Sequence, residues 1–122
     1  MFKKNIFLVI FFGSFYLDAQ PDIQPNEISY GYDEKQKIDF YKGSSDKVLI
    51  WIHGGGWLFG DKRAERWIKR FQNHFINHKE LNIYMIGYRV GEATAPNAVD
   101  DVICAYKKII SDATSKNLST DD

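Results

Sequence analysis

Five consecutive residues, His53-Gly54-Gly55-Gly56-Trp57, carry the clearest chemistry in this chain. Three glycines in a row suit neither a helix nor a strand interior, because glycine loses the most conformational freedom on folding. Directly after the apolar run Val48-Leu49-Ile50-Trp51-Ile52 they have a use. The backbone can turn sharply there and leave its N–H groups uncovered by side chains. Converging uncovered N–H groups stabilise the negative oxygen of a tetrahedral intermediate. A phosphate cradle is the rival reading, but no Gly-Lys-Ser and no Gly-x-Gly-x-x-Gly follows. His53 sits where it suits holding the loop better than moving a proton. The remaining candidates are weaker. Ser111, Ser115 and Ser119 lack flanking glycines, and His74 and His78 fall within or beside a helical segment. A zinc pair there would also want a carboxylate and a third ligand. Cys104 cannot form an internal disulfide and reads as a small packing residue in a helix.

The elements that must position this loop follow from periodicity. Glu27–Tyr32 and Lys37–Tyr41 alternate and are separated by a polar turn, predicting a β-hairpin. The run Lys47–Ile52 is continuously apolar, as in a strand covered on both faces. Asp61 can cap a helix whose apolar face holds Trp67, Ile68, Phe71 and Phe75, with Lys62, Arg63, Lys69 and Arg70 toward water. Leu81–Val90 returns to strand character. Val99, Val102, Ile103, Tyr106 and Ile110 recur at helical spacing, with Asp100 and Asp101 as helix-start charges. Arg89 can pair with one of these acids. Residues 111–122 read as a polar tail. Hairpin, strand, helix, strand, helix implies a layered α/β sheet.

Sixteen basic and sixteen acidic side chains give 122 residues no net charge, hence no electrostatic reason to expect nucleic acid or an anionic membrane as partner. A hydrophobic fraction of 44% suits a globular protein, not a disordered one. Lys3 and Lys4, the apolar stretch from Ile6 onward and the polar exit Asp18-Ala19-Gln20-Pro21 follow the order of a secretory signal peptide. Residues 1–19 are therefore expected to be a leader, cleaved after Ala19. The apolar part is short for a membrane span, which needs roughly 20 residues. An exported protein with no stable membrane span is the expectation, with residues 20–122 as the folded part.

The element order, the run Val48–Trp57 with Gly60-Asp61-Lys62 behind it, and Gly87-Tyr88-Arg89 followed by Ala95–Asp101 resemble the start of the α/β-hydrolase fold. The similarity is to its esterase and lipase branch with a His-Gly-Gly-Gly motif, near the small exported feruloyl and acetyl-xylan esterases. The resemblance implies that Gly55 and Gly56 supply two oxyanion-hole donors. Gly54 would permit the turn, His53 would secure the loop, and Trp57 would pack beside it or wall the acyl pocket. It implies a serine nucleophile, no metal and no organic cofactor, and a small-molecule or carbohydrate-linked ester as substrate. An aryl-formamidase or a peptidase is possible on the same fold, and a non-catalytic relic or binding module is the alternative outside enzymes. That family carries its serine in Gly-x-Ser-x-Gly after a fifth strand, with acid and histidine later. No such motif occurs in these 122 residues. The chain is thus expected to be the N-terminal part of such a domain, inactive alone, with Val48–Ile52 as an edge strand.

Overall fold

A computed structural model describes residues 24–121, and the side chains of 71–76 are not among the described groups. The expected leader lies outside the described residues, as do the side chains of Phe71, His74 and Phe75. Four strands and two long helices follow in the expected order. They are β1 Asn26–Ser29, β2 Lys37–Tyr41, β3 Val48–Ile52, α1 Glu65–Asn77, β4 Asn82–Ile86 and α2 Ala95–Ser115. The sheet runs β1-β2-β4-β3. β1 and β2 form the antiparallel hairpin, β2 pairs antiparallel with β4, and β3 pairs parallel with β4. A parallel pair needs a crossover, and α1 supplies it. This is the mixed sheet expected from the resemblance to the start of the α/β-hydrolase fold. Among the described residues β3 is an edge strand, as expected.

Alternation along the strands sorts two cores. Ile38, Phe40, Tyr84 and Ile86 face α2 and meet Ala98, Ala105, Ile109 and Ala113. Tyr41, Ile83 and Met85 face the other way and pack with Trp51 and Ile68. β4 is buried along its whole length, which is what a central strand covered on both faces requires.

Four expectations about α2 are corrected. The helix runs on to Ser115, so residues 111–115 are not tail. Its sheet-facing side is Ala98, Asp101, Ala105, Ile109 and Ala113, whereas Val99, Ile103 and Tyr106 are exposed. Alanine lets the helix axis approach the sheet closely, so the large residues that dominate a periodicity search point outward. The helix ends with Asn117 in the left-handed conformation (φ 55°) and Leu118 N–H donating to the Ala113 carbonyl at 3.0 Å. That closes the free carbonyls of the last turn, and Leu118 packs on the core. Asp100 and Asp101 are not helix-start charges, because the helix begins at Ala95 and places them a turn later. Cys104 is exposed, not packed.

Candidate active-site loop

The chain leaves the sheet at His53, and a buried tyrosine captures it there. Tyr88, two residues beyond β4, donates its hydroxyl to the His53 carbonyl at 2.6 Å. The two rings stack, 4.1 Å between centroids and 7° from parallel. Trp57 approaches the same tyrosine ring edge-on at 5.3 Å. His53 is only 3% exposed. Its Nδ1 lies 2.9 Å from the Gly54 carbonyl. A carbonyl only accepts, so Nδ1 carries the proton. Burial lowers the imidazole pKa below its usual value, and burial raises that of the Tyr88 hydroxyl. Near neutral pH both groups are uncharged and serve as packing and hydrogen-bonding pieces.

Between these two anchors the backbone turns through left-handed space. Gly55, Gly56, Trp57 and Gly60 have φ of 136°, 60°, 66° and 118°. Gly55 needs to be glycine for a second reason. A Cβ there would lie 2.7 Å from the Phe59 carbonyl carbon and closer still to its oxygen. A Cβ on Gly60 would lie 2.7 Å from His53 Nδ1. Gly54 is different. It is not among the positive-φ residues, and a Cβ on it would meet nothing within 4 Å. The sharp turn expected of Gly54 is made one residue later. Trp57 is a bulky residue in a conformation usually left to glycine and asparagine. Its carbonyl accepts from Gly91 N–H at 3.0 Å, which fixes it to the loop after β4.

The Gly55 carbonyl accepts from the N–H groups of Leu58 and Phe59 at 3.2 and 3.3 Å. No hydrogen bond among the described residues engages the N–H groups of Gly55 or Gly56. Gly54 and Gly56 are exposed. The loop therefore leaves two backbone donors without a partner among the described residues, on half-buried Gly55 and exposed Gly56, with Trp57, Leu58 and Phe59 exposed beside them.

The far end of the loop is held electrostatically, in a way the sequence reading missed. Lys62 is buried and does not point to water, and Arg63, half-exposed, turns its guanidinium onto a buried acid. Asp39 of β2 is fully buried and accepts from Arg63 Nε at 2.6 Å and Nη2 at 2.7 Å. Lys62, also buried, brings Nζ to 3.5 Å from it. A buried carboxylate must be paired, and a planar guanidinium fits both its oxygens. The Asp39 hydrogen bonds raise the Arg63 pKa further still. The signal was present: an aspartate inside Ile38-Asp39-Phe40, in a strand covered on both faces, demands a cation. Asp61 does not cap α1. Its carboxylate accepts from the Arg63 N–H at 2.8 Å and pairs with Lys35 at 2.6 Å.

Arg89 pairs with Asp101, not Asp100. Its Nη2 and Nε lie 2.8 and 3.0 Å from the carboxylate, and Gln36 donates at 2.8 Å. Burial pushes the Asp101 pKa up, but the hydrogen bonds from Arg89 and Gln36 outweigh it and hold it below the usual value. His78 is exposed and lies 3.2 Å from Glu80 Oε1, away from the loop. Ser111 and Ser115 lie on or at the end of α2, and the Ser119 N–H donates to Asp46, beside the turn before β3. None of these serines approaches the glycines through a contact in the structure. Among the described residues no group of three or more His, Cys, Asp or Glu could hold a metal ion, and no helix is long and apolar enough to cross a membrane.

Comparison with known proteins bears on this geometry. Residues 38–122 match the family model described as BD-FAE. A kynurenine formamidase from Scheffersomyces stipitis is 30% identical over 98 residues, covering 75% of this chain and 36% of that protein. Secreted lipase 5 of Gibberella zeae is 30% identical over 53 residues, 39% of this chain and 10% of the lipase. The solved structure of the Francisella virulence factor BioJ is 28% identical with a TM-score of 0.63, and the likeness covers 95% of this chain and 38% of that one. The chain thus spans little more than a third of the longest-matching relatives.

Proposed function

The chain belongs to the BD-FAE family, esterases of the α/β-hydrolase fold, and from that membership we propose that its glycine loop forms the oxyanion hole of a carboxylic ester hydrolase. The observation that carries the reading is the pair of unengaged N–H groups on Gly55 and Gly56, fixed by left-handed backbone at the end of β3. In ester cleavage a serine oxygen adds to the carbonyl carbon, and the carbonyl oxygen takes up negative charge. Donors already in place stabilise that charge without reorganising. Each is worth about 2.7–4 kcal/mol of barrier, or roughly a hundred- to a thousandfold in rate. His53 and Trp57 serve the loop as supports in this reading. Buried, stacked on Tyr88 and hydrogen-bonded through Nδ1 to its own loop, His53 suits a support better than a base.

The nucleophile, its acid and its catalytic histidine are not contributed by residues 24–121 in this proposal. The 122 residues contain no Gly-x-Ser-x-Gly. The chain by itself is then expected to leave p-nitrophenyl acetate and an N-formyl aniline unhydrolysed above buffer. Joined in frame to the remaining part of a family member that carries the serine motif, it should turn over the acetate ester. A serine-type burst from the chain alone would overturn the reading. So would a chimera that folds and remains silent. Export is proposed on the order of the N-terminal residues and on the secreted lipase among the relatives. Amino-terminal sequencing of the exported product should then begin at Gln20.

A further inference from the structure

We propose that Tyr88 is the positioning residue that sets the direction of the Gly55 and Gly56 N–H groups, by clamping the glycine loop at both ends. The inference rests on the oxyanion reading for its purpose, but not for its geometry. At the entry to the loop the Tyr88 hydroxyl holds the His53 carbonyl at 2.6 Å, and its ring stacks on the imidazole at 4.1 Å. At the exit its ring meets Trp57 at 5.3 Å. The segment Gly54–Gly56 between these contacts has left-handed backbone at Gly55 and Gly56 and no hydrogen bond among the described residues from either N–H group. Each N–H shares a planar peptide with the preceding carbonyl, and those carbonyls are held from the segment's ends: Gly54's by His53 Nδ1 at 2.9 Å, and Gly55's by the N–H groups of Leu58 and Phe59 at 3.2 and 3.3 Å. The direction of both vectors therefore follows from where His53 and the residues from Trp57 onward are pinned, which are the two places Tyr88 touches.

Tyr88 suits this task because it is itself immobile. It is 2% exposed, and it belongs to the main core with Tyr84 and Ala98. It follows β4 by two residues, so its position is inherited from the strand buried along its whole length. Trp57 is constrained from a second side, because its carbonyl accepts from Gly91 N–H and Gly91 lies three residues beyond Tyr88. A tryptophan held at φ 66° persists only where its surroundings over-determine it. The tyrosine ring and the Gly91 N–H provide that determination.

The test is residual dipolar coupling of backbone amides in the nitrogen-labelled 122-residue chain, which reads N–H direction residue by residue. Tyr88→Phe keeps both ring contacts and deletes the bond to His53. Trp57→Ala releases the other end, and Trp57→Phe restores an aromatic edge. In Tyr88→Phe and in Trp57→Ala the Gly55 and Gly56 couplings should shrink by half or more while those of β4 and α2 keep their values. Trp57→Phe should bring them back toward the parent. Unchanged glycine couplings in Tyr88→Phe would overturn the inference. Should Tyr88→Phe lose β4 couplings as well, Trp57→Ala decides alone, since that side chain is partly exposed and outside the core cluster. Unchanged glycine couplings there would overturn the inference equally. A tyrosine acting only on the sheet would change β4 and glycine couplings together in Tyr88→Phe and leave the glycine couplings of Trp57→Ala unchanged. These couplings do not depend on catalysis, so a silent chimera would end the oxyanion reading and leave this one standing.

Discussion

Three adjacent glycines invite three different alanine substitutions, and the structure assigns each a different cost. At Gly54 the φ is not positive and a Cβ meets nothing within 4 Å. Gly54→Ala removes freedom from the unfolded chain, which stabilises by about 0.4–1 kcal/mol where the native conformation is compatible. At Gly56, φ 60° is left-handed helical space with open room for a Cβ. There the steric penalty for an L-residue is about 1–2 kcal/mol. The unfolded-state gain offsets part of it, so Gly56→Ala should cost about 0.5–1 kcal/mol. At Gly55, φ 136° is essentially closed to any side chain, about 1–3 kcal/mol of strain. The new Cβ would also overlap the Phe59 carbonyl, so the backbone of residues 55–59 would have to move. Overpacking of that kind adds about 1–3 kcal/mol. Gly55→Ala should therefore cost about 2–6 kcal/mol. Urea unfolding followed by far-UV circular dichroism reads the series. With a slope of about 2 kcal/mol/M, Gly55→Ala should lower the midpoint by about 1–3 M while Gly54→Ala leaves it level or raises it. A Gly54→Ala variant as damaged as Gly55→Ala would refute this assignment of the turn.

Asp39→Asn leaves the Arg63 fork and Lys62 without their counter-charge. Breaking a buried pair costs about 3–5 kcal/mol, and the half-exposed Arg63 guanidinium reduces that to about 2 kcal/mol, readable in the same urea titration. The Asp101 carboxyl titrates lower when folded than when unfolded. Its contribution is complete above about pH 4 and is lost as pH falls from there through the folded value; acid unfolding of Asp101→Asn should lack that part of the slope. His53 is lowered by burial, so the unfolded chain takes up its proton first. Stability should fall as pH drops below about 6.5, and the His53 ring resonances should titrate at lower pH than those of a free imidazole. Leu49 is exposed on the edge strand β3, and Leu49→Lys should lower the sedimentation coefficient at high protein concentration, because a lysine on an open edge opposes strand pairing between copies.

The strand order along the chain was readable because the apolar alternation of β2 and the unbroken runs of β3 and β4 are local signals. The glycine loop was readable because its motif is contiguous. What escaped was pairing across distance. Nothing in Lys62-Arg63 announces a strand partner, since that partner, Asp39, lies more than twenty residues earlier and looks like one polar residue among apolar ones. The buried face of α2 escaped for another reason. Alanines carry little hydrophobic signal, yet only they allow the helix to lie close to Tyr84 and Ile86. The outward Val99, Ile103 and Tyr106 carry the signal without the burial. Tyr88 was visible only as a residue of the predicted strand Leu81–Val90 and of the family segment, because the strand in fact ends at Ile86 and a tyrosine after it has no distinguishing neighbour in sequence.

The same distance effects explain how so improbable a loop persists. Left-handed backbone at Gly55, Gly56, Trp57 and Gly60 is conformationally unfavourable, most of all at the tryptophan. The loop's own hydrogen bonds, to the Gly54 and Gly55 carbonyls, offset part of this and leave the Gly55 and Gly56 N–H groups free for a substrate oxygen. The rest of the offset comes from outside the glycines. It comes from three places on three elements: Tyr88 and Gly91 after β4, Asp39 on β2, and Lys35 in the turn between β1 and β2. Each holds a residue flanking the glycines, and none touches the Gly55 or Gly56 N–H. Preorganised donors act only when their reorganisation has been completed in folding. The division of labour here, with supports on the flanks and bare backbone in the middle, meets that requirement. It also means that removing a support should disturb the donors from well outside the reach of any substrate.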